Sequence, residues 1–158
     1  MTVVRIRIIA VGKDKERWVT EGCEHFGKLL SRFARIEWII VPAVRVSAAL
    51  TPAQVRQREA GRIRAALEKG LLVALSDRGE KCDSITFADK LENFQTRCHG
   101  IINFLVGGAH GLDEAILKKA DAVLSLSPMT FSHRLVRLVL LEQLYRAFSI
   151  LHGRDYHK

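Results

Sequence analysis

The sequence is short of cysteine, proline and acidic side chains, and each shortage excludes something. Its 158 residues include only 3 cysteines, Cys23, Cys82 and Cys98, with no C-x-x-C pair among them. An odd number of scattered thiols suits neither a disulfide framework nor a zinc site, and it points to a reducing compartment. Three prolines and 11 glycines argue against long disordered stretches. Long apolar runs are missing too. Arg5 and Arg7 interrupt the apolar stretch at the N-terminus, so it lacks the unbroken core of a signal peptide. The greasiest segment, Leu135 to Leu151, is broken by Arg137, Glu142 and Arg146 and does not read as a membrane span. The expectation is a cytoplasmic protein with no membrane partner. Acidic residues number 17 against 25 basic ones, a formal net charge of +8. That excess on so short a chain points to a polyanion, nucleic acid before membrane.

What is present has an ordinary globular composition, 48% hydrophobic and 27% charged, at a length suited to one domain spanning residues 1–158. Val3–Val11, Arg35–Val41, Leu71–Leu75, Ile101–Val106 and Ala122–Leu126 read as strands. Helices are expected from Asp14 to about Arg32, from Thr51-Pro52 to Gly70, from Phe87 to Cys98, from Asp113 to Lys119, and over Leu135 to Leu151. Thr51-Pro52 is an N-cap followed by the proline favoured at the first helical position. Continuous apolar strands alternating with helices imply an α/β fold, a parallel sheet covered by helices on both faces.

Ligands of such sheets bind beyond the carboxyl ends of the strands. Three loops occupy that position: Ser76–Lys81, Gly107–Gly111 and Ser127–Ser132. Gly107, Gly108 and Gly111 let the backbone approach a ligand or turn tightly, and either reading suits them. The spacing is neither G-x-G-x-x-G nor a Walker loop, which disfavours ordinary dinucleotide and nucleotide-triphosphate sites. The Ser127-Pro128-Met129-Thr130-Phe131-Ser132-His133 segment offers hydroxyls and an apolar wall to a flat polar ligand such as an adenine. Taken alone, the segment is better explained by Ser132 or His133 opening the last helix.

That last helix is apolar on nearly every side, which predicts burial on two sides and hence a homodimer. Glu142 and Arg146 are spaced as an ordinary helical pair. No third histidine or thiolate accompanies His152 and His157 in the tail, so no metal site is expected. Arg56, Arg58, Arg62 and Arg64 read as a solvated helix face. Together with Arg5, Arg7, Lys13, Lys15 and Arg17 they supply charge for phosphate contacts without sequence readout.

Several stretches together resemble one known family. They are Leu105-Val106-Gly107-Gly108-Ala109-His110-Gly111-Leu112, the run from Leu124 through Ser127 and His133 to Arg137, Leu141-Glu142-Gln143-Leu144-Tyr145-Arg146-Ala147, and the terminal Tyr156-His157-Lys158. Ala10-Val11-Gly12-Lys13 and Ala74-Leu75-Ser76-Asp77-Arg78-Gly79 extend the match over nearly the whole chain. The resemblance is to the ribosomal RNA large subunit methyltransferase H family, of the SPOUT class. Ser76 and Arg134 depart from the residues common in that family, aspartate at the first position and glutamine or proline at the second.

The resemblance implies a homodimer whose C-terminal part, about residues 101–158, forms a trefoil knot. It implies S-adenosyl-L-methionine (SAM) as cofactor and N3 of a pseudouridine in 23S ribosomal RNA as acceptor, on the large subunit or the assembled ribosome. Carried over by position, the cofactor pocket comprises Leu75, Ser76, Gly107, Gly108, Ser127, Pro128, Met129, Thr130, Phe131 and Ser132. His133, Arg154, Tyr156 and His157 become the residues expected at the reacting base, with the tail closing over it, in the partner subunit's site on one reading. The alternatives are a non-catalytic, basic RNA- or ribosome-binding protein, and the same fold acting on another RNA.

Overall fold

The computed structural model describes residues 3–157; Met1, Thr2 and Lys158, the last residue of the tail motif, lie outside the described residues. Five strands form one parallel sheet in the order β2-β1-β4-β3-β5. They are β1 (Val4–Val11), β2 (Ala34–Val41), β3 (Leu71–Lys81), β4 (Ile101–Val106) and β5 (Ala122–Ser125). Between and after them run α1 (Arg17–Leu30), α2 (Pro52–Ala66), α3 (Ser84–Arg97), α4 (Glu114–Lys119) and α5 (His133–Leu151).

The central strands are apolar throughout because both of their faces are covered. Ile6, Ile8, Phe104 and Val73 point toward the face under α1, α3 and α5, where Leu30, Leu91, Leu140 and Phe148 meet them. Ile9, Leu105 and Ala74 point to the other face, against Ala60 and Ile63 of α2 and Ile116 of α4. Burying each such side chain contributes about 1.5–3 kcal/mol, and the even spread over two faces makes a three-layer α/β fold.

Caps fix where the helices begin. Thr51 accepts from the backbone of Gln54 while the Gln54 side chain accepts from Thr51, a closed capping box with Pro52 behind it. Ser132 accepts from Leu135 and so opens α5 two residues ahead of the Leu135 expected from periodicity. Asp83 caps α3 at Ser84, three residues before the expected Phe87.

Two expectations change. The turn around Asp77-Arg78-Gly79 does not end β3: the strand leaves its register with β5 after Leu75 and rejoins it at Glu80, opposite Leu124. Gly79 permits this, since a Cβ there would lie 2.5 Å from the Leu124 carbonyl carbon. Arg5 and Arg7 are not free for phosphates. Arg5 pairs with Glu37 at 2.9 Å, and Arg7 is buried, donating to the Ala66 carbonyl and to Asn103. α5 itself is flanked by α1 on one side and α3 on the other, and its Leu135, Leu138 and Val139 stay half-buried in the single chain.

Candidate functional site

The three loops converge. At the carboxyl ends of β3, β4 and β5 lies a cleft of about 580 Å³, lined by Leu75, Ser76, Gly107, Gly108, His133 and residues 129–132, among others. Ser127 also lines it; Pro128 is exposed and does not. The volume falls within the roughly 300–1,000 Å³ of small-molecule sites. No helix among the described residues is long and apolar enough to cross a membrane.

Each wall has a local reason for its shape. The 76–79 excursion from β3 forms one wall, and Ser76 accepts there from the Arg78 backbone. The turn after β4 is closed by the Gly111 amide donating to Gly108 at 3.1 Å, with Gly111 at φ +76°. A Cβ on Gly107 would sit 2.7 Å from the Gly111 carbonyl carbon, so this turn is as tight as backbone packing allows. In the third loop Ser127 accepts from the Met129 amide, while Ser125 donates to the Ser127 carbonyl. Met129 is left 75% exposed, an apolar side chain standing free at the rim. Ser132 therefore serves both readings of its loop, as helix cap and as cleft wall.

His133 stands where the cleft meets the first turn of α5. Burial, then the charges of Arg137 and Arg134, push its pKa below the ordinary value of 6.5, so the ring is neutral at physiological pH. Arg137 is buried and donates from Nη2 to the carbonyls of Val11 and Gly12, which ties α5 to the end of β1. Arg134 pairs with Glu16 at 2.8 Å.

The tail lies elsewhere on its own chain. The Tyr156 hydroxyl donates to Glu142 at 3.2 Å, and the ring packs edge-on against Tyr145 and under the Arg146 guanidinium. Arg146 also donates to the Tyr156 carbonyl, so the Glu142–Arg146 pair clamps the tail as well as the helix. Arg154 lies over the Phe33 ring at 5.1 Å, and His157 is exposed. Glu142 is nine residues along α5 from His133, about 14 Å at ~1.5 Å per residue. Arg154, Tyr156 and His157 thus do not line the cleft of the chain that carries them.

A larger hollow of about 830 Å³ runs between α1 and the edge strand β2, lined by Cys23, Ile36, Trp38 and Ile40. It lies along the side of the sheet, away from the strand ends where the loops converge. No group of three or more His, Cys, Asp or Glu among the described residues is arranged to hold a metal ion.

Sequence reasoning missed Glu59. It sits on α2 at 4% exposure, accepting the Val44 amide with Oε1, and burial pushes its pKa up. The signal was its place on the buried stripe Val55–Glu59–Ile63 of an otherwise polar helix.

Comparison with known proteins places these features in a family. A family model described as a predicted SPOUT methyltransferase matches residues 4–157. A ribosomal RNA large subunit methyltransferase H of Acetivibrio thermocellus is 45% identical, over 98% of this chain and 100% of its own length. That of Lactobacillus delbrueckii subsp. bulgaricus is 40% identical with the same coverage. Among solved structures, a probable methylase family protein from Haemophilus influenzae Rd KW20 superposes with a TM-score of 0.60 at 15% identity. The match covers 97% of this chain and 70% of that one, which speaks to fold alone. The chain belongs to the ribosomal RNA large subunit methyltransferase H family of SPOUT methyltransferases.

Proposed function

We propose that this protein transfers a methyl group from SAM to N3 of a pseudouridine in 23S ribosomal RNA, on the large subunit or assembled ribosome, as a cytoplasmic homodimer. The observation that carries the reading is the glycine-walled cleft at the ends of β3, β4 and β5, in a chain of this family. The residues present fit SAM. The cleft's volume suits it, Gly107, Gly108 and Gly111 stand in its wall, and the turn they make is too tight to take a Cβ at Gly107.

When bound, SAM supplies an electrophilic methyl on a sulfonium, so no protein nucleophile or metal is required. The chain's own residues position and deprotonate. Leu75, Ser76, Gly107, Gly108, Ser127 and residues 129–132 would hold the cofactor, with Met129 and Phe131 offering apolar faces and Pro128 left outside the cleft. Neutral His133 would accept the proton of the acceptor N3–H, so that the nitrogen meets the methyl group the cofactor supplies with its lone pair free. Holding the two reactants in line accounts for most of the remaining acceleration.

The tail supports the dimer. Arg154, Tyr156 and His157 lie outside their own cleft, so a second subunit's tail is the one free to cover it. Ile40 stands exposed in the wall of the apolar groove between α1 and β2, a surface that a second subunit can cover. The trefoil knot over about 101–158 belongs to this proposal through membership of the family.

Mass spectrometry of ribosomal RNA from a strain lacking the gene tests the reading. One methyl group should be missing from a pseudouridine of the large-subunit RNA and return on complementation. Unchanged methylation would overturn it. Calorimetry with SAM separates the non-catalytic RNA-binding alternative, which predicts no heat of binding.

A further inference from the structure

The end of β4 is flanked by two crevices. β1 and β3 pass the chain to α1 and α3 on one face of the sheet, whereas β4 passes it to α4 on the other. The backbone therefore parts on both sides of β4, and such partings are where open α/β sheets take ligands. The cleft described above fills the β3 side. On the β1 side lies a second chamber of about 200 Å³, bounded by Asp14, Glu59, Gly108, His110, His133 and Arg137, among others. The two spaces share Gly108, Ala109, His110 and His133 as a common wall.

This chamber holds an unusual concentration of unmet polarity. Among the described residues, four side chains carry a buried polar atom without a hydrogen-bond partner: Arg7, Asp14, Glu59 and Arg137. Three of those four line the chamber. Glu59 and Arg137 are each 4% exposed, yet Glu59 Oε2 and Arg137 Nε have no partner. Buried polar groups are otherwise almost always satisfied, so an acceptor and a donor left open in one space call for a ligand with both. The volume lies below that of sites for drug-sized molecules and matches one small heterocycle.

We propose that this chamber receives the everted pseudouracil ring and that Glu59 accepts its N1–H; the inference rests on the proposed pseudouridine reaction. In pseudouridine the ribose is attached at C5, leaving N1 with a hydrogen that uridine lacks. An acceptor at N1 is therefore the group that distinguishes the two bases. N1 and N3 are separated by a single carbonyl, so a ring anchored at Glu59 by N1–H turns N3 toward an adjoining wall. The wall shared with the cofactor cleft is the one that carries His133. Extruding the base from its stack is what enzymes that do chemistry on a base commonly do.

The test compares Glu59→Gln with the wild type on two ribosome preparations lacking this methyl group, one with pseudouridine at the target and one with uridine. In the variant the Val44 amide claims the amide oxygen, and the NH2 group then faces N1–H, donor against donor. The wild type should prefer pseudouridine, and Glu59→Gln should lose about 10- to 100-fold on that substrate while its rate on uridine changes little. SAM affinity by calorimetry should be unchanged. A variant that binds SAM and keeps the wild-type preference overturns the inference, as does a wild type that methylates both equally. Val46→Trp sets an indole at an exposed residue of the same chamber, away from the core. It should reduce transfer at least tenfold without weakening SAM, and an unchanged rate would count against the chamber. A wild type that methylates neither substrate defeats the pseudouridine reading itself.

Discussion

Arg137 of α5 donates to the carbonyl oxygen of Gly12, 2.6 Å away and 125 positions earlier in the chain. Its same nitrogen reaches the Val11 carbonyl at 2.9 Å, so a buried cation is met by the backbone that ends β1. Gly12 sits at φ +83°, a conformation that turns the chain from β1 toward residues 13–16. The bond therefore fastens the start of α5, and with it His133, to the sheet edge beside the second chamber.

Replacing Arg137 by Met should keep most of the packing and remove both bonds. The two carbonyls are then left short of a donor, at a cost of about 1–3 kcal/mol. Urea denaturation at neutral pH checks this: the midpoint should fall with little change in slope. A variant as stable as the wild type would mean that the cation's burial cost cancels its two bonds.

Gly107→Ala tests the cradle. The added Cβ meets the Gly111 carbonyl carbon at 2.7 Å, and both atoms are held by backbone, so the turn must shift. Overpacking of this kind costs about 1–3 kcal/mol. Since the displaced backbone is the cleft wall, SAM affinity measured by calorimetry should weaken at least tenfold. Gly61→Ala, with open space around its Cβ, is the control and should bind normally.

Much of this arrangement was legible in the sequence, for physical reasons. The core of β4 and the first five residues of β3 are apolar because both faces are buried, and no other short element imposes that pattern. Thr51 and Ser132 declared their helices because caps are local chemistry. What was hidden depends on partners far apart in the chain. Glu37 and Glu68 neutralise Arg5, and nothing near Arg5 announces them. The return of β3 at Glu80 rests on Gly79 lying against Leu124, a contact between segments 45 positions apart. The apolar breadth of α5 was legible too, but not that α1 and α3 take its two flanks and leave Leu135, Leu138 and Val139 half-buried.

The lowered pKa of His133 has a definite sign for stability. In the unfolded chain the ring protonates near its ordinary value of 6.5, and in the fold it does so at lower pH. Between those two values the unfolded state binds more protons, so stability rises with pH there. His133 contributes its stability above 6.5, and that contribution is lost as pH falls through the depressed value. His133→Asn should flatten this part of the stability curve. If His133 takes the N3 proton, the same substitution should also remove the low-pH fall in the methyl-transfer rate, which lies below 6.5 in the wild type.

The thiols should be unreactive. Burial, opposed in part by Arg137, pushes Cys23 up to about 11, and burial raises Cys82 as well. Cys98 is buried beneath the α3 end. Only the thiolate attacks an alkylating agent, so iodoacetamide at pH 7.5 should modify the folded protein far more slowly than the urea-unfolded chain. Intact mass spectrometry over an hour reads the difference.

Truncation after Gly153 separates binding from transfer. It removes Tyr156 and with it the bond to Glu142, the Tyr145 contact and the Arg146 stacking, all on the surface of α5. These half-buried interactions at the end of the chain contribute on the order of 1–2 kcal/mol, so the truncated protein should fold. None of the removed residues that the structure describes, 154–157, lines the cleft of its own chain, so SAM affinity should stay within about threefold of the wild type. If a second subunit's tail closes over the acceptor, methyl transfer to ribosomes should nevertheless fall by at least a hundredfold. Mixing the truncated protein with a full-length chain carrying Gly107→Ala distinguishes the two arrangements. A tail acting across the interface restores activity in the mixed dimer, because one intact cleft then meets one intact tail. A tail acting within its own chain restores none.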